Sequence, residues 1–189
     1  MSQASPIDEL RKEHQRLLTD LKDLQDSARE SLDQVTATGR DRMEMFQRAL
    51  QIHIRREEEG LFPDARQLVA RSSKRPALLS SFFGSEAEED IDAHRVLAER
   101  TQQLLDLVWD ISQAAKPDPP SMARLRALLG LTLGLLERHA DKEDKLIFPM
   151  IERSLEPAEL EQVAERIHAL GSAADLTDST DSGMPQIGG

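Results

Sequence analysis

The sequence predicts an all-α fold, an up-down-up-down four-helix bundle of two repeated helical hairpins with a short fifth helix. Apolar residues recur at helical spacing along four long segments, and no segment alternates as a strand does. One pattern occurs twice, as His53-Ile54-Arg55-Arg56-Glu57-Glu58-Glu59-Gly60-Leu61-Phe62-Pro63 and as His139-Ala140-Asp141-Lys142-Glu143-Asp144-Lys145-Leu146-Ile147-Phe148-Pro149. Each copy follows a helical segment with its own core histidine, His14 or His94, so the chain reads as helix, loop, helix, twice over.

Ser5-Pro6 reads as an N-cap with proline at the first helical position. Ile7, Leu10, Leu17, Leu21 and Leu24 then form an apolar stripe, and His14 fills its missing position. This first helix is expected to end between Ser31 and Gly39. The second starts near Arg40, with Met43, Phe46, Leu50, His53 and Glu57 facing inward, until Pro63 ends or bends it. A short helical continuation to about Ala70 and a connector over 71–85 follow. Ser85 with Glu88 reads as a capping box for the third helix. That helix carries Ala87, Ile91, His94, Leu97, Leu104 or Leu105, Val108 and Ile111 inward. It stops before the breaker Lys116-Pro117-Asp118-Pro119-Pro120. The fourth helix runs from Ser121 through Leu125, Leu128, Thr132, Leu135, His139 and Glu143, and ends or bends near Pro149. Pro157 opens the fifth helix and Gly171 closes it. Residues 1–171 therefore read as one domain, and 172–189, rich in Ser, Asp, Thr and Gly, as a flexible tail.

A net charge of −11 argues against a nucleic-acid partner, because phosphate binding needs a basic surface. The chain has no cysteine, which excludes disulfides, thiolate metal sites, iron–sulfur clusters and Cys nucleophiles. The longest apolar stretch, Leu128 to Leu136, is too short for a membrane span, so no membrane partner is expected. Met1 to Pro6 lacks the features of a signal peptide, and a cytoplasmic location is the expectation.

Residues i and i+4 of a helix lie on one face with Cβ atoms about 5–6 Å apart. Each repeat therefore aims one imidazole and one carboxylate at the same place. With His14 and His94, four His and two Glu occupy core positions. The basic residues fall mostly on the outer phases and supply no matching core cation. Burying two unpaired carboxylates costs several kcal/mol each, of the order of ~5, or forces protonation. Divalent cations offset that cost. A merely polar-lined bundle would leave the matched repeats to coincidence. Imidazole with carboxylate suits iron, manganese or zinc and does not suit calcium or copper(I). The candidate ligands are His14, His53, Glu57, His94, His139 and Glu143, two His per metal with the two Glu bridging. An oxo or hydroxo bridge completes a fifth position and leaves a sixth open to dioxygen, nitric oxide or peroxide.

The paired His-x3-Glu followed by Leu-Phe-Pro or Ile-Phe-Pro, with Glu13-His14 and Ala93-His94 upstream, resembles the hemerythrin-like (HHE cation-binding) family over about residues 5–153. The resemblance implies a centre of two non-haem iron ions at those six residues. The oxygen-carrying members have a second His four residues after the one on the third helix, where this chain has Ala98. They also place the last carboxylate five residues after its His, which here is Asp144, although Glu143 has the better helical phase. The four-His, two-Glu set is similar instead to bacterial members, including the iron–sulfur repair di-iron proteins, which carry an additional Cys-containing domain. Oxygen binding, catalase- or peroxidase-like or nitric-oxide-related redox activity, and iron handling are all compatible with such a ligand set.

Other signals carry less. Glu165-x-x-His168 matches half of a ferritin-like ligand pattern and reads as a surface pair. Glu58, Glu59 and Asp141 read as a solvated face, with Glu58 able to support a ligand from behind. Trp109 and the helically spaced Met residues read as core. The tip Gly183-Met184-Pro185-Gln186-Ile187-Gly188-Gly189 is a candidate docking peptide for a partner, with an ordinary terminus the simpler reading.

Overall fold

The computed structural model describes residues 5–30, 32–63, 76–114 and 118–171. Four long helices form: α1 (Pro6–Glu30), α2 (Leu32–Arg55), α3 (Pro76–Gln113) and α4 (Pro119–Lys142). A π-helical turn extends α2 over Arg56–Leu61, and a second over Glu143–Ile147 joins α4 to α5 (Phe148–Ser154). The last helix is α6 (Pro157–Ala169), and no strand occurs among the described residues.

The expected bundle is the fold that forms. α1 packs on α2 and α4, and α3 packs on the same two. Side-chain bonds show that neighbours run antiparallel. Glu13 of α1 meets His53 of α2, while Ser27 meets Arg42. Glu58 meets His94 of α3, while Gln47 meets Gln102. Between α1 and α4, His14 meets Asp144 and Arg126 donates to the Ala28 carbonyl.

Three helix starts differ from expectation. α2 begins at Leu32 and passes through Gly39, because one interior glycine costs only about 1 kcal/mol and does not stop a helix. α3 begins at Pro76, so 76–85 is helix rather than connector, and Ser85 is not a cap. Proline suits a first helical position, and the helix is already propagating when it reaches Ser85. α4 begins at Pro119, because Asp118 is its N-cap and accepts from the Ser121 N–H at 3.2 Å. What read as a breaker is a start signal. Neither proline ends the helical run: helix continues at Phe62-Pro63 after the first π turn and runs through Pro149 in α5. Gly171 closes α6 with φ of +85°, a left-handed conformation that glycine adopts without strain. The continuation to Ala70, the first part of the connector and the tail over 172–189 lie outside the described residues.

The core divides in two. One cluster, including Leu17, Leu21, Met43, Phe46, Leu50, Leu97, Leu104 and Leu125, fills most of the bundle. The other, with Ile7, Leu10, Phe62, Phe148, Ile151 and Ile167, is closed over by α5 and α6. Between them lies a layer of buried polar side chains. Leu136 occupies the core position expected of Leu135, which is half-buried. Trp109 is 41 % exposed rather than core, and the Arg40 guanidinium lies 3.9 Å over its ring. Met45 is exposed as well, whereas Met43 is buried. No described helix is long and apolar enough to cross a membrane.

Candidate metal centre

Each hairpin delivers one His from its first helix and a His-x3-Glu from the end of its second. A following proline has no N–H and crowds the carbonyl four residues back. The chain answers by shifting register. The Phe62 N–H bonds to the Glu57 carbonyl, and the Phe148 N–H bonds to the Glu143 carbonyl, five residues back in each case. Each π turn thus begins at or beside the candidate ligand Glu, just ahead of its proline. Such single-turn bulges are frequent at functional sites.

The structure brings all six predicted residues together, each at most 3 % exposed. His14, His53, Glu57, His139 and Glu143 offer donor atoms within 4.8 Å of one another. His94 lies outside that tight set, but its Nε2 is 3.1 Å from Glu57 Oε2. Glu57 Oε1 faces the first hairpin, 3.3 Å from His53 Nε2 and 3.6 Å from His14 Nε2. Glu143 Oε2 is 3.0 Å from His14 Nε2 and 3.3 Å from His139 Nε2. Asp144 is on the far side of the His14 ring, with Oδ1 accepting from Nδ1 at 3.1 Å, so Glu143 alone points inward.

Within this layer the Nε2 atoms of all four His, and both oxygens of Glu57 and Glu143, have no hydrogen-bond partner among the described residues. A buried polar atom left unbonded costs about 1–3 kcal/mol, and native proteins hold few of them. Here they converge on one place. Nitrogen and carboxylate oxygen donors without sulfur fit iron, manganese or zinc.

The outward ring nitrogens are held by carboxylates. His53 Nδ1 donates to Glu13 at 3.1 Å and His94 Nδ1 donates to Glu58 at 2.9 Å. Such bonds fix the tautomer that leaves Nε2 free for a metal. His139 is held less closely, with Asp90 Oδ1 3.7 Å from its Nδ1. Behind Glu13 stands Arg56, paired with Glu13 and, at 2.8 Å, with Glu9. Sequence reasoning placed no cation in the core, yet Arg56 is 2 % exposed. Arg56 follows His53 by three residues, so ordinary helical spacing already puts it on the buried face, where Glu13 and Glu9 meet it. Glu13 and Asp90 were also missed. An acid one helical turn before His94 was the legible signal for Asp90, whereas Glu13 has only its adjacency to His14.

The metal-free electrostatics are uneven. Burial opposes charge on His14, but Asp144, Glu143 and Glu57 outweigh it and hold its pKa up to about 12. Burial likewise opposes charge on His94, and Glu57 and Glu58 still raise it. Burial lowers His139. Burial would raise Glu57, yet the surrounding His53, His14 and His94 hold it well below the carboxylate range. Burial and the neighbouring Glu57 charge push Glu143 well above it.

Aromatic rings seal the layer. Phe148 stacks on His14 at 5.6 Å and Phe62 on His94 at 6.2 Å, so each repeat covers the other hairpin's histidine. Glu165 and His168 lie on the surface, as expected, with His168 Nε2 3.1 Å from Glu9.

Among known families, the model of the hemerythrin HHE cation binding domain matches residues 5–151. No curated protein matches the chain.

Proposed function

The chain belongs to the hemerythrin HHE cation-binding family, and we propose that it holds two non-haem iron ions and binds or senses a small oxygen- or nitrogen-oxide ligand. The observation that carries this reading is the convergence of unpartnered Nε2 and carboxylate oxygen atoms from both hairpins. The His14 and His53 rings lie 4.6 Å apart, and the His94 and His139 rings 4.7 Å apart. Each hairpin would therefore supply the nitrogens for one metal position. Glu57 turns one oxygen toward each pair and is suited to bridge them. Glu143 lies between His14 and His139 and is suited to the same role.

Bound iron supplies a redox-active Lewis acid that can bind dioxygen, nitric oxide or peroxide. The protein's own part is to orient and to exclude. Glu13, Glu58 and Asp144 accept the Nδ1 protons and keep the Nε2 lone pairs inward. Phe62, Phe148 and the two apolar clusters keep bulk water from the layer.

Metal content and the absorption spectrum of the purified protein test this, before and after peroxide or nitric oxide. About two irons per chain and a reversible spectral change support binding or sensing. Catalytic consumption of peroxide or nitric oxide would replace that reading with a detoxifying enzyme. Ready loss of iron to an apo-acceptor would make the metal the cargo. Zinc alone, or no uptake of ferrous iron, would overturn all three.

A further inference from the structure

The two hairpins hold their paired histidines unequally. Two outward contacts match: Asp144 accepts from His14 Nδ1 at 3.1 Å, and Glu58 accepts from His94 Nδ1 at 2.9 Å. The contrast falls on the remaining pair, His53 and His139.

Behind His53 the chain is continuous and buried. His53 Nδ1 donates to one oxygen of Glu13, and Arg56 donates to the other. The second arm of the guanidinium donates to Glu9. A planar guanidinium spanning two carboxylates fixes both in direction as well as charge. Glu13 therefore cannot turn away from His53 without breaking a buried ion pair.

Behind His139 the same positions are filled loosely. Asp90 Oδ1 is 3.7 Å from His139 Nδ1, beyond hydrogen-bond reach. Asp90 Oδ2 and His139 Nδ1 have no partner among the described residues. Lys142 stands where the first repeat has Arg56. It is 3.7 Å from Asp90 and spends its ammonium on Glu86 at 2.8 Å, nearer the surface.

We propose that Arg56 is a positioning residue acting through Glu13 on His53, so that the His14–His53 position binds a divalent metal first and more tightly than the His94–His139 position. The inference rests on the two-metal reading above. Residues that orient a ligand from behind typically change metal affinity about 10–100-fold. The first hairpin has such a support on both histidines, and the second has it on His94 alone.

The test is an anaerobic titration of the metal-free full-length protein with cobalt(II), followed by calorimetry and ligand-field absorption. Two equivalents should bind in two steps separated by at least about tenfold. Glu13→Gln keeps the shape and leaves Arg56 its Glu9 partner. It should weaken the first step about 10–100-fold, shift the absorption of the first equivalent and leave the second step in place. Arg56→Lys keeps the charge, removes the fork and should act in the same direction. Asp90→Asn should move the second step only slightly. Two equal steps in the wild type, an unchanged first step in folded Glu13→Gln, or an equal effect of Asp90→Asn on that step would each overturn the inequality and leave the two-metal reading standing. Fewer than two equivalents in the wild type would overturn both.

Discussion

The two copies of the repeat present the same atoms inward and different atoms outward. Position by position, His53 matches His139, Glu57 matches Glu143 and Phe62 matches Phe148, and every one is buried. Two of the differences in burial bear on the neighbours. Arg56 is buried where Lys142 is half-exposed, and Gly60 is buried where Leu146 is exposed. The inner face obeys the chemistry of the polar layer, which needs the same donor from both sides. The outer face obeys the neighbour: α6 packs on the first π turn, and among the described residues no helix beyond its chain neighbours α4 and α5 packs comparably on the second. Sequence similarity between repeats thus reports their shared chemistry. The mismatches mark where the rest of the chain attaches.

The largest effect should come from the inner atoms. Glu57→Ala and Glu143→Ala should each release metal, beyond the roughly 10–100-fold loss typical of a residue acting through a ligand. Metal per chain after desalting measures this. The melting temperature of the loaded protein should fall with it, since a metal at ~1,000 Kd contributes about 4 kcal/mol of stability. Retention of two irons by both variants would refute their bridging role. In metal-free protein the pair should come apart. Glu143 is pushed above the carboxylate range and is most stable there as the neutral acid, so Glu143→Gln should leave the melting temperature unchanged or raise it. Glu57 is held well below that range by the histidines around it, so Glu57→Gln should lower it. Equal responses would mean that the copies are electrostatically equivalent.

Next in size is the pH response of the metal-free protein. His14 rises from 6.5 to about 12 on folding, and His94 also rises. A raised histidine contributes stability that is fully present below its unfolded pKa and is lost as pH climbs toward the folded value. His139 is lowered, so its contribution stops changing above its unfolded pKa of 6.5. Between pH 7 and 10 the sign is therefore set by His14 and His94, and Glu143, held above the carboxylate range, acts in the same direction. The metal-free protein should lose stability with rising pH, by up to about 1.4 kcal/mol per pH unit for each raised group. Thermal melts across that range should show the slope, reduced in His14→Asn and unaltered in His139→Asn. A slope that His139→Asn removes instead would reverse the assignment of His14 and His139.

Most of the bundle was legible in the sequence for a physical reason. A histidine or glutamate on a core phase is costly, so six of them at matched positions leave few alternatives. Ile7 through Leu24, and Met43 through Leu50, lie buried as their spacing indicates. What escaped were features that a fixed helical period cannot carry. Arg56 shares the His53 face at i+3, but a cation there reads as solvated until the carboxylates of Glu13 and Glu9 on another helix are in place. Pro63 and Pro149 left an end and a bend both open, because the register shift that accommodates them is a backbone adjustment with no residue of its own. Gly39 and Ser85 read as boundaries from local chemistry, while packing carries the helix through both. Glu13 supports His53 and Asp90 faces His139, each on another helix, and that pairing exists only once the helices assemble.

The smallest effect should come from the outer mismatch, and it tests whether the neighbour chose the residue. A Cβ on Gly60 would stand 2.7 Å from Ile167 Cγ1 of α6, closer than a side chain tolerates. The Gly60 carbonyl also accepts from Arg166 Nη2 at 3.2 Å, which holds the same contact from the backbone side. Gly60→Ala must therefore push α6 outward or strain Ile167, at a cost of about 1–3 kcal/mol. Against that works the propensity gain of alanine inside a helix, about 1 kcal/mol, so the net loss is a few degrees of melting temperature in a chain of this size. Leu146 occupies the equivalent place, exposed and with no helix above it among the described residues, and Leu146→Ala should stay within about 0.5 kcal/mol. Amide hydrogen exchange separates docking from general destabilisation. In Gly60→Ala, α6 should exchange faster while α1 to α4 keep their protection. If α6 were unaffected, glycine at 60 would owe nothing to the docked helix, and the outer difference between the repeats would lose its cause.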